Sequence, residues 1–122
     1  MGYHVVDPET LDETPDRPCA QWTVGDAAGL SNFALNKYRA EPGETIPLAY
    51  HSHDEQEEAF VVVEGTLHVE TPEGDHVVAE GEVFAVEPGS PHRAHNPADA
   101  EGPVSVFAIG APRVDDATPY EP

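Results

Sequence analysis

Basic residues and cysteine are both scarce in this chain of 122 residues. Lysine and arginine together number 5, against 24 aspartate and glutamate residues, and the formal net charge is −19. A surface of that sign repels nucleic-acid phosphates and anionic lipids, so neither nucleic acids nor membranes are expected as partners. Cys19 is the single cysteine, which rules out an intrachain disulfide and a cysteine-based metal site and favours a reducing compartment.

Long apolar segments are missing as well. No stretch approaches the roughly 20 apolar residues of a membrane-spanning helix, and the first residues lack the basic and apolar regions of a secretory signal. Internal repeats and helical periodicity of useful length are also lacking. We therefore expect a soluble cytoplasmic protein with a single hydrophobic core, because the chain is too short for two.

The acidic residues are spread over the whole chain and do not gather in one tail. The simpler interpretation of this distribution is a well-solvated surface. The interpretation that we prefer is adaptation to a salt-rich cytoplasm, where screening removes the repulsion between like charges. The composition resembles that of proteins from halophiles, and it predicts a stability that rises with salt concentration.

Proline and glycine are plentiful, at 13 and 10 residues, and divide the chain into short segments. Apolar runs of strand length alternate with turn signals, the clearest at residues 72–75, where Gly74 supplies the positive φ of a hairpin turn. The pattern predicts an all-β domain, either an antiparallel sandwich or a small barrel. The predicted strands span residues 32–39, 58–63, 67–69, 77–79, 83–86 and 104–109.

The ends of the chain differ from its middle. Residues 1–20 contain three prolines among acidic and polar residues, which predicts an extended N-terminal arm. Residues 112–122 have the same character and are expected to form a C-terminal tail. The barrel domain is therefore expected to comprise residues 21–111.

Two histidines spaced i and i+2 stand at the centre of the first informative stretch. His51 and His53 point to the same face of a strand, where both imidazoles can reach one ion. Glu58 follows five residues later and faces the same way only if the polar residues 54–57 form a bend. Glu57 replaces it as a ligand if that bend is one residue shorter.

The second informative stretch begins with a Pro-Gly turn. Pro88 and Gly89 deliver His92 onto a new strand, from which it can supply a third imidazole from the opposite side of a barrel. His95 lies on the other face of that strand and is expected outside the barrel. Three more histidines show no motif and are expected on the surface: His4, His68 and His76.

Both stretches resemble the two sequence motifs of the cupin superfamily, and the resemblance covers about residues 32–110. The matching positions of the first motif are His51, His53, Glu58 and Gly65, and those of the second are Gly81, Gly89, His92 and Asn96. The sequence departs from the family pattern at Glu87, where a proline is usual, and in a longer spacer after Gly43. Neither departure falls on a ligand position.

The resemblance implies a single-domain, double-stranded β-helix barrel of jelly-roll type. It also implies a metal ion bound by four ligands, His51, His53, Glu58 and His92. Independently of the family, three imidazoles and one carboxylate suit a transition metal such as Fe, Mn, Ni, Co, Cu or Zn better than Ca or Mg. The sequence does not choose among these metals.

Four protein ligands leave about one or two coordination positions for water, oxygen or a small-molecule substrate, which is typical of a catalytic metal site. The resemblance implies an enzyme of the dioxygenase, isomerase, epimerase or lyase type that acts on a small oxygenated molecule. The alternative is a non-catalytic protein that binds a sugar or a carboxylic acid, with a structural metal.

Several polar side chains near the motifs are candidates for contact with a substrate. Neutral residues expected at the barrel mouth, beside the metal ligands, are Tyr38, Tyr50 and Gln56. Lys37 or Arg39 is a candidate anchor for an anionic group. The sequence does not decide which of these neighbours points inward.

The strand at residues 58–63 also predicts how the protein associates. Phe60 and Val62 share the face of Glu58 and must point into the barrel, so Ala59, Val61 and Val63 must point out. An outward face without polar residues is unusual in so acidic a chain and predicts a cover. The N-terminal arm and a second chain are the candidates, and we expect a symmetric homodimer, with the arm crossing to the partner.

Overall fold

Short strands make up most of the regular structure in the computed structural model, which describes residues 2–122. The first five strands are β1 (Ala20–Trp22), β2 (Ala34–Ala40), β3 (Thr45–His53), β4 (Glu57–Glu64) and β5 (Leu67–Thr71). The remaining five are β6 (Gly74–Val78), β7 (Val83–Val86), β8 (His92–His95), β9 (Val104–Ala111) and β10 (Ala117–Pro119). Helical structure among the described residues is limited to α1 (Val24–Ala27) and a 3₁₀ turn (Pro8–Thr10).

The strands form two antiparallel sheets of five strands each. The first sheet has the order β1-β2-β9-β4-β7 and the second the order β10-β3-β8-β5-β6. Chain-adjacent strands therefore lie mostly in different sheets, and the chain winds back and forth between the two layers. This arrangement confirms the all-β, double-stranded β-helix barrel predicted from the sequence.

The hydrophobic core lies between the two sheets and is built by alternation along each strand. In β4, Phe60 and Val62 are 2% and 1% exposed, whereas Val63 is 43% exposed. Val106 in β9 and Leu67 and Val69 in the other sheet are fully buried. The predicted inward face of β4 is thus confirmed, and it places Glu58 on the same side as the core.

Segments at both ends of the chain take part in the sheets. In the segment predicted as the C-terminal tail, β10 pairs with β3, with Ala117 opposite His53 and Pro119 opposite His51. Near the end of the predicted N-terminal arm, Cys19 is 6% exposed and joins the core. β1 follows it at once and pairs with β2.

The strand ends that carry the two motifs meet at one end of the barrel. β3 pairs with β8 so that His51 lies opposite His92. The polar residues 54–56 form the bend expected between β3 and β4, which brings Glu58 onto the facing sheet opposite Gly110. None of the helices within residues 2–122 is long and apolar enough to cross a membrane.

Candidate metal centre

The structure brings the four predicted ligand residues together between the two sheets. Nε2 of His53 lies 2.9 Å from Oε1 of Glu58 and 3.1 Å from Nε2 of His51. Nε2 of His92 lies 3.2 Å from the same Glu58 oxygen, and Nε2 of His51 lies 3.9 Å from it. Atoms of His51, Glu58 and His92 that can bind a metal all lie within 4.8 Å of one another.

The hydrogen bonds of the imidazole rings determine which nitrogen faces the centre. Nδ1 of His51 lies 2.8 Å from the carbonyl oxygen of Ala49, and Nδ1 of His92 lies 3.0 Å from that of Ser90. A carbonyl oxygen only accepts, so in both rings Nδ1 must carry the proton and Nε2 must hold a lone pair. That tautomer is the one in which Nε2 can bind a metal.

Two buried atoms at the centre lack a hydrogen-bond partner in the described part of the chain, namely Oε1 of Glu58 and Nε2 of His92. The two atoms lie 3.2 Å apart. They do not form a hydrogen bond when Nδ1 holds the His92 proton, because each atom then offers only a lone pair. Burying such groups without a partner costs free energy, and a bound cation removes that cost. The residues present therefore fit a transition-metal ion with nitrogen and oxygen ligands.

The charge states of the site also suit a metal. Burial lowers the pKa of His51, which keeps its ring neutral at neutral pH. Burial alone raises the pKa of Glu58, but the contact with His92 and the positive charge that the His92, His53 and His51 rings carry when protonated outweigh it and lower that pKa below its ordinary value. Metal ligation requires a carboxylate and neutral imidazoles, so a metal ion and protons compete for the rings.

Three of the four candidate ligands, His51, His53 and Glu58, line a cavity of about 480 Å³. Tyr38, Gln56 and Phe60 contribute to its wall, as do Arg17 near the N-terminus and Arg113 after β9. Another depression of about 450 Å³ lies beside Phe84, and His92 is the one candidate ligand among its lining residues. The cavity at Arg17 and Arg113 is therefore the one that three of the four candidate ligands line, namely His51, His53 and Glu58.

Two of the three neutral residues expected beside the ligands line this cavity. Tyr38 is 5% exposed and its oxygen accepts a hydrogen bond from Nδ2 of Asn36 at 3.2 Å. Gln56 is also buried, but its amide donates to the carbonyl oxygens of Pro112 and Val114 at 3.2 and 3.4 Å. Both face the cavity because they lie on the inner side of the barrel.

Tyr50 and the two expected anion anchors lie elsewhere, for reasons of strand alternation. The ring of Tyr50 packs against Tyr120 with centroids 4.9 Å apart, since the neighbour of an inward His51 must point away from the cavity. Lys37 lies over the rings of Trp22 and Phe107, 5.9 Å from each centroid. Arg39 is exposed and pairs with Glu41 at 3.5 Å. Of the candidates that the sequence left open, these three residues therefore do not line the cavity.

Strand alternation also decides between Glu57 and Glu58 as the ligand and explains the position of His95. Glu57 is exposed and starts β4 on the outer side, so it does not replace Glu58. His95 lies on the outer face of the second sheet, with its ring 6.0 Å from that of His68. His4 and His76 are exposed.

Three residues near the site were missed by the sequence analysis. Asp116 bonds to His53, and the two arginines of the cavity wall are Arg17 and Arg113. All three lie outside the motifs, and no local spacing connects them with the ligands. The one available signal was the scarcity of basic residues, which makes the position of each of the five informative.

Comparisons with known proteins agree with the fold. The family described as "Cupin domain" matches residues 36–110. A sugar phosphate isomerase from a cupin superfamily of Silicibacter pomeroyi is similar, with 30% identity, a TM-score of 0.76, and coverage of 88% of this chain and 75% of that one. A search of curated proteins found no match.

Two further solved structures are similar in fold. The polyketide cyclase RemF of Streptomyces resistomycificus is 16% identical, with a TM-score of 0.80 over 98% of this chain and 87% of that one. A protein with a double-stranded β-helix domain from Klebsiella pneumoniae is 17% identical, with a TM-score of 0.77 over 98% of this chain and 99% of that one.

Proposed function

Because the chain belongs to the cupin domain family, we propose that it is a metal-dependent enzyme that acts on a small, oxygenated, anionic molecule. The observation that carries this proposal is the convergence of His51, His53, Glu58 and His92 between the sheets, with two of the converging atoms buried and unpartnered. Three of these residues, His51, His53 and Glu58, line a cavity. The candidate enzyme classes are isomerases, lyases and dioxygenases. The metal remains one of Fe, Mn, Ni, Co, Cu and Zn.

A bound metal supplies Lewis-acid chemistry, because it polarises a substrate oxygen and stabilises the negative charge that develops there. The chain's own residues bind and orient the substrate beside it. Burial raises the pKa of Tyr38 to about 12, so its hydroxyl keeps its proton at neutral pH. Since Asn36 donates to the Tyr38 oxygen, the Tyr38 proton is free for donation to a substrate oxygen in the cavity.

The positions of the arginines support an anionic substrate. Arg17 and Arg113 are two of only five basic residues in a chain of net charge −19, and both line this cavity. Arg17 has no ion-pair partner among residues 2–122, whereas Arg113 is held by Asp26 and by the carbonyl oxygen of Leu30. Guanidinium groups bind carboxylates and phosphates through paired hydrogen bonds.

Side chains of both signs line the cavity, and their formal charges cancel. Arg17 and Arg113 contribute two positive charges, and Glu58 and Asp115 contribute two negative ones. A divalent ion on the candidate ligands therefore makes the cavity positive within a strongly acidic protein, which attracts an anion. Sugar phosphates are the first class to test, given the 30% identical sugar phosphate isomerase.

Metal content tests the first half of the proposal. Protein purified without chelator should contain close to one transition-metal ion per chain, and the double variant His51→Ala/His53→Ala should contain almost none. The matched control is His68→Ala/His95→Ala, which removes a histidine pair from the outer face of the barrel. Stoichiometric metal in the His51/His53 double variant would refute the assignment of the site.

A substrate screen tests the second half. Phosphorylated sugars and small carboxylic acids should bind to metal-loaded protein and be turned over, whereas their uncharged analogues should bind at least tenfold more weakly. Arg17→Gln should weaken binding of the anions selectively, and Arg39→Gln, an exposed arginine outside the cavity, is its control. Equal affinity for charged and uncharged analogues would contradict the anionic substrate.

Non-catalytic binding of a sugar or carboxylic acid is the second candidate function. It is favoured by the shortage of proton-transfer groups: apart from the metal ligands, the described cavity wall offers only the Tyr38 hydroxyl and the Asp115 carboxyl group. A ligand that raises the melting temperature without being converted, with every metal tested, supports this function. Conversion of the ligand in the presence of any one metal supports the enzymatic function instead.

A further inference from the structure

Asp116 connects the C-terminal segment with the candidate metal centre through both of its carboxylate oxygens. Oδ1 accepts a hydrogen bond from Nδ1 of His53 at 2.8 Å. Oδ2 accepts from the backbone N–H groups of Glu55 and Gln56 at 2.7 and 3.1 Å. One side chain therefore fixes both a ligand ring and the bend that separates this ligand from Glu58.

The bend also bonds back to the C-terminal segment. The Gln56 amide donates to the carbonyl oxygens of Pro112 and Val114. This amide packs against the backbone of Gly110, where an added Cβ would lie 2.7 Å from it. We call the reciprocal contacts between residues 55–56 and residues 112–116 the tail clasp. It closes beside His53 and leads directly into β10, which pairs with the ligand strand β3.

His53 differs from the other two histidines in the group that accepts its Nδ1 proton. His51 and His92 donate to neutral backbone carbonyl oxygens two residues earlier in the chain, so their orientation depends on local backbone alone. His53 donates to a carboxylate 63 residues away. A charged acceptor makes a stronger hydrogen bond, fixes the Nδ1–H tautomer more firmly and raises the basicity of Nε2.

The acceptor keeps its charge over the physiological pH range. The backbone N–H of Glu55, together with hydrogen bonds from His53 and Gln56, lowers the pKa of Asp116 to about 2. Asp99, in the loop after β8, is exposed and is not among the residues that line the cavity of the candidate metal centre. Its replacement by alanine removes the same charge and therefore serves as the control for Asp116.

We propose that Asp116 is a positioning residue that holds His53 as a metal ligand in its Nδ1–H tautomer, so that the metal centre is complete only with the C-terminal segment in place. This inference rests on the proposed metal site, to which it adds a residue beyond the range 36–110 that matches the family. It assigns to the tail clasp a function in metal binding in addition to its contribution to stability.

The test compares Asp116→Ala, Asp116→Asn and Asp99→Ala in two measurements. In metal-free protein, long-range ¹H–¹⁵N NMR reports which nitrogen of His53 is protonated. We expect Nδ1–H in the wild type and in Asp99→Ala, and a shift of population to Nε2–H in Asp116→Ala. Titration with Co²⁺ should give about 10- to 100-fold weaker binding in Asp116→Ala, with no change in Asp99→Ala.

The two readouts separate failure of the inference from failure of the proposed site. If the wild type binds no Co²⁺, the proposed function fails, while the His53 tautomer still decides the role of Asp116. An unchanged tautomer and unchanged Co²⁺ affinity in a folded Asp116→Ala variant would overturn the inference. If that variant does not fold, the Co²⁺ affinity of Asp116→Asn tests the inference. The single amide oxygen of asparagine can accept from His53 or from the backbone of residues 55–56, but it cannot replace both carboxylate oxygens. Intermediate affinity then supports the proposal, and wild-type affinity refutes it.

Discussion

Nδ2 of Asn96 donates a hydrogen bond to the carbonyl oxygen of Ala40 at 3.0 Å, which joins the end of β8 in one sheet to β2 in the other. The same amide donates to the carbonyl oxygen of Gly102 at 2.9 Å. Asn96 is 2% exposed, and Ala40 is fully buried. This motif residue therefore stabilises the contact between the sheets and is not a ligand of the metal centre.

Replacement of Asn96 by alanine should lower stability and spare metal binding. The variant leaves two carbonyl oxygens without their donor, and an unsatisfied buried acceptor costs about 1–3 kcal/mol. Urea denaturation at constant salt measures the loss. Asn32→Ala, at an exposed position, should stay within about 0.5 kcal/mol of the wild type. Loss of metal from folded Asn96→Ala protein would contradict a purely structural role.

Gly65 is a second motif residue with a structural function. Its φ is +78°, and a Cβ built there would lie 2.4 Å from the carbonyl oxygen of Pro103. Gly81 has a similar φ of +86° with nothing within 4 Å of the corresponding position. Gly81→Ala should therefore cost only the backbone strain of about 1–2 kcal/mol. Gly65→Ala should cost about 1–3 kcal/mol more, because the backbone must also move. Equal losses in the two variants would show that the close approach to Pro103 is unimportant.

Local alternation along the strands was the part of the structure that the sequence predicted well. The i, i+2 spacing placed His51 and His53 on one face, and the strand predicted at residues 83–86 coincides with β7. The same rule, applied to Tyr50, would have excluded it from the cavity, because its neighbour His51 points inward. Asp116, Arg17 and Arg113 were out of reach, since their roles depend on contacts between the chain ends and distant strands.

His95 should contribute to the pH dependence of stability. Burial, followed by the charge of Arg93 and that of His68, lowers the pKa of His95 below its ordinary value of 6.5, and neither the hydrogen bond with the Arg93 backbone nor the nearby Glu70 reverses this. The unfolded chain then binds a proton that the folded chain resists, so the stability that His95 contributes is present above pH 6.5 and lost as the pH falls below it.

Denaturation midpoints of chelator-treated protein between pH 7.5 and about 5.5 test this linkage. His95→Gln should fall less steeply with decreasing pH than the wild type. His4→Gln, at an exposed position in the N-terminal segment, should keep the wild-type slope. The metal-centre histidines are present in all three proteins, so they do not affect the comparison. A wild-type slope in His95→Gln would count against the assignment.

Salt should stabilise the protein. A net charge of −19 on 122 residues creates repulsion that screening reduces. We expect the thermal midpoint to rise steadily with KCl into the molar range. A variant with Glu9, Asp12 and Glu13 changed to their amides has less charge and should respond less. Midpoints that stay constant or fall with added KCl would refute the proposed adaptation to salt.

The outer face of β4 and β7, with Phe107 of β9, is apolar and is the surface on which we base the prediction of a homodimer. Val61 lies between Phe107 on β9 and Val83 on β7, and Val83 is 55% exposed. The first residues of the N-terminal segment do not pack on this face, since Tyr3 and Val5 are 85% and 103% exposed. A second copy of the chain is therefore the occupant that we propose for this face, in a symmetric arrangement.

Light scattering after size-exclusion chromatography in high salt measures the association. The wild type should elute with twice the mass of one chain at micromolar concentration. Val83→Asp places a charge in the apolar face at a position exposed enough to tolerate it in the monomer, so this variant should be monomeric. Val77→Asp introduces the same charge at a 64% exposed position on β6 of the other sheet and should remain dimeric. Both variants should retain their metal, because His51, His53, Glu58 and His92 lie on the inner side of the barrel. A monomeric wild type, or a Val83→Asp variant that dimerises as well as Val77→Asp, would exclude this face as the interface.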